Sequence, residues 1–577
     1  MGIFTADNLK PVTRKSQAIV QLLILAAVLV LINIVAYRFH VKADLTSEKR
    51  YTLSPSSKKL LKGLDDVVTV KVYLKGKFPA GFQKLAGSTR ELLQNFRDVA
   101  GAKVQFEFIN PFEGKTEAER AEVYKQFAEK GMMPTQLAVQ QSEDQSYSET
   151  IIYPTALVML NGKEMPVNLL ETRLGMGAQQ QLNVSERLLE FKLINAIHKL
   201  QQPDKYNVAY ITGNGESLGN HTIDLLTTLA MGYNLDTLDL NNITSIPISY
   251  KAIIIAKPTV TFDDKAKFKL DQYIMHGGKA LFLIDQLRCD ADSLRTIQQF
   301  VTTDYNLNLD DLLFQYGIRV NPVLVEDLQC NPIPLIVGQQ QGANKMEAFP
   351  WIYYPVLVPD SRHPIVNNMD AVQSFYANTI DTIQNADITK TVLLHTSQYS
   401  RSIANPARVT LAMLQFKPNP DLFNKPFKPV AVLAEGKFRS IYSGRVTPAF
   451  LQVLRDSLKQ DYVGERDSGK IIVVADGDIV ANDFTEREGP MPLGYYRGTK
   501  ETFANKDFIL NCLEYLTDDS GLLETRSKDI RLRLLDQNRI KNEKLRWQLL
   551  NIVFPALLVI FFGSLYLFIR RKKYGQA

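Results

Sequence analysis

The 577-residue sequence predicts an α/β ectodomain held between two transmembrane helices. Three observations predict it. One uncharged apolar run lies near each end of the chain. Four short, almost continuously apolar runs recur between residues 207 and 285, with helix-length segments between several of them. An earlier stretch alternates strand, helix, strand. Runs that are apolar at every position indicate strands covered on both faces, hence a mostly parallel, doubly wound sheet.

The first apolar run, 18–37, reads AIVQLLILAAVLVLINIVAY, and the second, 547–569, reads WQLLNIVFPALLVIFFGSLYLFI. Each is long enough to cross a hydrocarbon core of about 30 Å as a helix. A cleaved signal peptide has an apolar core of only about 7–15 residues before a small-residue cleavage site. Here Tyr37-Arg38-Phe39-His40 follows instead, and the run reads as an uncleaved anchor. For the second run the competing account is a buried core helix. Its length, Trp547 and Tyr566 near its edges, and Arg570-Arg571-Lys572-Lys573 behind it favour a span.

Charge orients the two spans. Residues 1–17 carry Lys10, Arg14 and Lys15 against Asp7, and residues 570–577 carry four cations and no acid. Together they account for the whole formal charge of +6, so residues 18–569 balance to zero. Short basic tails stay cytoplasmic, whereas a long domain crosses largely regardless of charge. The expectation is two cytoplasmic tails, 1–17 and 570–577, with the bulk on the other side. A neutral middle also argues against a nucleic-acid partner, which requires clustered, unbalanced Lys and Arg.

The middle is 45% hydrophobic and 22% charged when counted with the spans, an ordinary globular composition, and is too long for one domain. Its first part, 38–204, reads as an N-terminal α/β unit. Ser54 followed by Pro55 resembles an N-cap and first-turn proline that open a helix through Leu60, Leu61 and Leu64. Residues 67–74 alternate as a strand, 88–99 are helical, and 103–109 form a second strand. That order predicts a right-handed parallel βαβ unit. Residues 117–130 form a charged helix, 151–160 and 165–169 a hairpin around Asn161-Gly162, and 185–200 a closing helix.

Residues 205–520 read as the central α/β domain. The runs 207–212, 235–240, 252–256 and 279–285 are its first strands. Between 331 and 407 periodicity fades among prolines at 332, 334, 350, 355, 359 and 364 and a Gln-rich stretch at 339–341, which predicts an irregular insertion. Strand-like runs return at 409–416, 429–434 and 470–475, and 506–516 is a closing helix. The juxtamembrane segment 521–546 is strongly charged. Beyond about Asp536 it is expected to feed the second span as one helix, with Pro555 tolerated inside the membrane. Such a feed transmits motion between membrane and ectodomain, or is simply a solvated charged face.

Candidate chemistry is sparse. Gly213-Asn214-Gly215-Glu216 follows a strand and offers a backbone nest for an anion at a helix start. It lacks the third glycine of a dinucleotide fingerprint, which favours a structural turn. Asp476-Gly477-Asp478, with Asn482 and Asp483 close behind, offers oxygen ligands to a hard cation, but no Glu completes a calcium loop and Asp-Gly is also a plain turn. Asp285 ends another strand, where open α/β sheets place ligands; a helix cap is the plainer account. Six scattered histidines, among which only His221 and His363 invite a test, show no metal-type spacing. There is no nucleophile elbow and no phosphate-binding loop for ATP. Cys289, Cys330 and Cys512 are too few and too dispersed for a metal knuckle; one pair is possible, and which two remains open.

Several segments, in order, resemble one family. Asp44-Leu-Thr-Ser-Glu-Lys-Arg-Tyr-Thr-Leu-Ser after the first anchor, Phe106-Glu-Phe-Ile-Asn-Pro, Gly131-Met-Met-Pro-Thr, Asn183-Val-Ser-Glu-Arg, Tyr210-Ile-Thr-Gly-Asn-Gly-Glu and Val474-Ala-Asp-Gly-Asp are similar to the GldG family, gliding-motility-associated ABC transporter auxiliaries often labelled substrate-binding components. The likeness runs nearly the whole chain, to the Leu-Arg-Trp-Gln-Leu-Leu entry of the second span. It implies a periplasmic subunit anchored twice in a bacterial inner membrane, working beside a separate ATPase and a separate multi-span permease. It implies a central domain similar to intraflagellar-transport or glutamine-amidotransferase α/β domains. The Cys-His pairing of an amidotransferase is missing, so the resemblance implies a retained fold without catalysis, cofactor or metal. Two other functions stay open: a membrane-tethered envelope hydrolase or amidotransferase, tested by joint replacement of His221, Glu216 and Cys289, and an anchored solute receptor. The transported substrate, direction and stoichiometry are not legible.

Overall fold

The computed structural model describes residues 14–38, 52–76, 78–132, 134–140, 147–171, 177–202, 204–340, 343–359, 362–458, 461–518, 520–527 and 537–574. The Asp44–Ser54 stretch therefore lies largely outside the described residues, as do 528–536 of the juxtamembrane segment. The chain divides into two compact units, Tyr51–Lys528 and the two end segments taken together.

The end segments contribute two helices. Arg14–Arg38 contains the apolar stretch Ile19–Asn33, and Gln537–Tyr574 runs unbroken through Pro555. Among the described residues one helix, Glu543–Lys572, is long and apolar enough to cross a membrane. Its large apolar side chains are exposed throughout, as lipid-facing residues would be.

Within Tyr51–Lys528, the first sheet has the order Val104–Phe108, Val68–Val72, Thr155–Leu160, Lys163–Asn168. The first two strands are parallel, with Val70 opposite Phe106, and the helix Ala80–Ala100 between them makes the expected βαβ unit. That helix is longer than the spacing predicts, starting after Pro79, because Phe82 and Leu85 extend its apolar face onto the core of Leu61, Leu93 and Phe96. The remaining strands form the Asn-Gly hairpin, in which Asn161 and Gly162 both take positive φ (52° and 75°), as a tight turn matched to strand twist requires. Ser54 caps the helix Pro55–Lys62 by accepting from Ser57 N at 3.1 Å. The buried Glu190 fixes that cap to the long helix Ala178–Gln201, accepting from Ser54 N and Ser57 Oγ. A second hairpin, Thr135–Gln140 with Tyr147–Ile152, has no counterpart in the periodicity.

The central sheet has seven strands in the order Ile388–His395, Pro429–Arg439, Glu465–Val474, Lys279–Leu283, Ala252–Ala256, Asn207–Thr212, Asn234–Asp239. From Glu465–Val474 onward all neighbours are parallel. All five residues of Ala252–Ala256 and four of Lys279–Leu283 are buried, which is why these runs carry no polar alternation. The first two strands of the order are antiparallel additions to the parallel set. The run at 409–416 is corrected: Arg408–Thr410 is a short strand pairing with Gln299–Val301, followed by a 3-10 turn. The insertion at 331–407 is corrected as well. It opens with a long hairpin, Cys330–Gln340 against Ala343–Leu357, with register shifts after Cys330 and Ile336. A third strand, Val372–Gln373, pairs only with Val356 and Leu357, so most of the hairpin keeps free edges where a proline needs no amide. All three cysteines are free.

Candidate functional site

In a doubly wound sheet the parallel strands all point their carboxyl ends to one edge, and ligands bind there, where the strand order reverses. Here the order reverses between Asn207–Thr212 and Ala252–Ala256. The Gly213–Glu216 loop leaves the first strand at that edge and Lys257 leaves the second.

The crevice at the reversal is filled by the chain itself. Asn214 O accepts from both Thr259 N and Val260 N, Ser217 N donates to Ala256 O, and Thr259 Oγ1 donates to Gly215 O at 3.0 Å. Asn241 Nδ2 donates to Gly213 O, and Asn214 Nδ2 to Thr261 O. The Asn214 amide that would greet an anion instead donates to the carboxylate of Glu216 at 2.7 Å. Glu216 is 8% exposed, and burial raises its pKa. The positive φ of Gly213 and Gly215 allows this packing: a Cβ on Gly215 would strike Thr259 Oγ1.

One strand further along, the edge carries a buried charge cluster. Asp285 and the Asp476-Gly477-Asp478 loop, read at two different strand ends of the sequence, are brought together, with Lys257 set against Asp285 and Asp478. Lys257 Nζ contacts Asp478 Oδ1 closely and lies 3.7 Å from Asp285 Oδ2. Asp285 Oδ1 accepts from Gly477 N at 2.7 Å, and Asp476 accepts from Asp478 N, Phe375 N and Ser374 Oγ. Burial pushes the Asp285 pKa up to about 7 against the opposing pull of Lys257, and holds Asp476 well above the usual carboxylate range. The Lys257 ammonium is held above its ordinary value by Asp478 and Asp285, which outweigh its own burial. Asn378 fastens the rim to the inserted lobe, accepting from Gln286 N and donating to Ala475 O through its amide and to Val323 O through its side chain.

Asn482 and Asp483 are not part of the cluster. Asn482 clamps the 219–224 turn, and Asp483 receives Arg497 Nε at 2.9 Å. Among the described residues no group of three or more His, Cys, Asp or Glu is placed to hold a metal ion. Within the cluster Lys257 supplies the positive charge. Sequence reading missed Lys257; the signal available was its position, the first residue after an all-apolar strand. His221 faces Asn482 O through Nδ1, and His363 packs on the Tyr515 ring. Burial raises the Cys289 thiol pKa and pushes that of Cys330 up to about 12, so neither is a ready nucleophile. A cleft of about 580 Å³ lies beside the rim at Gln286, lined by Asp304, Asp310 and Arg319. In it Gln286 Nε2 donates to Asp310 Oδ1 at 2.8 Å.

Residues 47–159, containing most of the first sheet, match the domain of unknown function DUF7088. Residues 205–512 match the family described as ABC-type uncharacterized transport system, auxiliary. An uncharacterized protein of Borreliella burgdorferi (strain ATCC 35210) is 20% identical over 547 residues, covering 92% of this chain and 94% of its own length. The solved mmIFT52 N-terminal domain is similar at 14% identity and a TM-score of 0.31, covering 56% of this chain and all of that one. The family model spans more than half of the sequence and takes in every strand of the central sheet together with the rim cluster, and on that ground the chain belongs to the ABC-type transport system auxiliary family.

Proposed function

We propose that the protein is a non-enzymatic subunit, anchored in a bacterial inner membrane by both end helices, that couples a separate ABC ATPase and permease to a process outside the cytoplasm. Gliding motility of the GldG type, or envelope transport, is the process the sequence resemblance points to. The observation that carries the reading is the filled switch point. The place where this fold class binds ligands is occupied by Glu216, Asn214 and Thr259 of the chain itself, while the family assignment ties the same domain to transport.

Two further features support it. The rim acids are engaged by Lys257, backbone amides and Ser374 rather than poised around an open cavity. The helix Gln537–Tyr574 is long enough, at about 1.5 Å per residue, to pass through a bilayer and continue beyond it. Purification of the full chain from native membranes in mild detergent is the test. Recovery of an ATPase and a multi-span permease is expected. Recovery of neither, or retention of function by a nucleophile-directed inhibitor-sensitive chain alone, would remove the reading.

A further inference from the structure

A groove of about 650 Å³ lies between the helices Asp264–Met275 and Pro448–Leu458, and none of the rim acids lines it. Its floor is aromatic. Phe268 meets the rings of Tyr442 and Phe450 edge-on, with centroids 5.1 and 5.4 Å away. Leu454, 3% exposed, anchors the second helix, yet Phe450 and Val453 on the same helix remain 43% and 54% exposed. The volume falls within the roughly 300–1,000 Å³ of small-ligand clefts, which are likewise apolar with a few polar groups for orientation.

Those polar groups are nearly all of one sign. Lys265, Lys269 and Arg445 line the groove, and its acid, Asp264, lies 3.8 Å from Lys267 Nζ. Lys269 Nζ is used by Leu240 O at 2.6 Å. The side chains of Lys265 and Arg445 are exposed and have no hydrogen-bond or ion-pair partner among the described residues. An aromatic trough with two unpaired cations at its lip, Lys265 and an Arg445 that also borders the neighbouring cleft of Asp304 and Asp310, is complementary to a molecule with an apolar body and an anionic head.

We propose that this groove binds an amphipathic anion, its alkyl chain lying on Phe268, Phe450 and Val453 and its carboxylate or phosphate head between Lys265 and Arg445.

The test uses the full chain in phosphatidylcholine nanodiscs and three photoreactive probes with one dodecyl tail: a carboxylate, a phosphate and a trimethylammonium. After irradiation, both anions should label peptides covering 262–270 and 446–456, and the cation at least fivefold less. Val453→Asp, and separately Lys265→Ala with Arg445→Ala, should each cut anion labelling fivefold or more. A decyl carboxylate should need roughly tenfold more probe for half-saturation, the factor expected from about 0.8 kcal/mol per buried CH₂. This chain-length arm decides the matter if a variant does not fold. Suppression of labelling by phosphatidylglycerol nanodiscs identifies a membrane lipid as the source of the anion, and its absence identifies a free one. Equal labelling by the cation, or adducts confined to 543–572, overturns the proposal. So does failure of every anion while an acidic amphipathic peptide cross-links to the groove.

Discussion

Replacing Asp285 by Asn should stabilise the protein, although it removes a member of an ion cluster. The Asp285 side chain accepts Gly477 N at 2.7 Å and lies 3.7 Å from Lys257 Nζ, yet burial outweighs both and carries its pKa from the ordinary 3.8 to about 7. At about 1.36 kcal/mol per pKa unit, the fold disfavours the ionised form by about 4 kcal/mol. Because the folded value is raised, the favourable contribution is complete below pH 3.8, is lost as the pH climbs toward 7, and is absent above it. Asn keeps an oxygen for Gly477 N and ends the titration, while its NH₂ beside Lys257 returns about 1 kcal/mol as an ill-matched donor. A net gain of about 2–3 kcal/mol is expected at pH 8 and none at pH 4. Asp476 reinforces the sign, since the Asp285 charge is among the causes raising its pKa. Urea unfolding of the full chain, followed by fluorescence of the buried Trp351, measures the difference at both pH values. A variant less stable than the parent at pH 8, or an offset identical at pH 4 and 8, refutes the reasoning. The expected result would mean that the buried carboxylate costs the fold stability at neutral pH despite its hydrogen bond and its lysine neighbour.

Gly215→Ala should cost about 2 kcal/mol or more, because φ is +77° and the new methyl meets Thr259 Oγ1; a lowered melting temperature with faster exchange at the Thr259 and Val260 amides checks it. Arg526→Met should cost about 2–4 kcal/mol in urea titration, since the buried guanidinium donates to Asn511 Oδ1 and covers the Phe191 ring at 5.6 Å. Exchanging residues 547–569 for an unrelated apolar helix should leave membrane insertion intact and abolish copurification of the permease; unaffected copurification would reduce this helix to an anchor.

What could be read from sequence divides along the range of the forces involved. The apolar runs at 207–212, 252–256 and 279–285, the Ser54 cap and the Asn161-Gly162 turn are local signals, and each became the element expected, the third strand stopping at Leu283. The helix beyond Asp536 also follows from composition alone. The Cys330–Leu357 hairpin did not, because its outer part is exposed while its base is buried at consecutive positions, Trp351, Ile352 and Tyr353, so no regular alternation marks either strand. The edge strand Ile388–His395 escaped because its sequence, ITKTVLLH, carries no regular alternation and its place is fixed by long-range pairing with Pro429–Arg439. For the rim, the three acids were visible at two strand ends, Asp285 at one and the Asp476-Gly477-Asp478 loop at the other. Their convergence on Lys257 depends on strand order, which joins residues 257, 285 and 478 only after the sheet has closed.

Strand ends in open sheets are usually where a fold frays first, because their last amides face solvent. At this edge the amides of Ser217, Thr259, Val260, Gln286, Gly477 and Asp478 all donate to fixed acceptors contributed by other strands, loops or buried carboxylates. The carboxyl edge is thereby part of the same cooperative block as the sheet centre. In native-state hydrogen exchange those six amides should open together with the middle of Ala252–Ala256, so a push delivered to any one of these loops is borne by the parallel sheet as a whole.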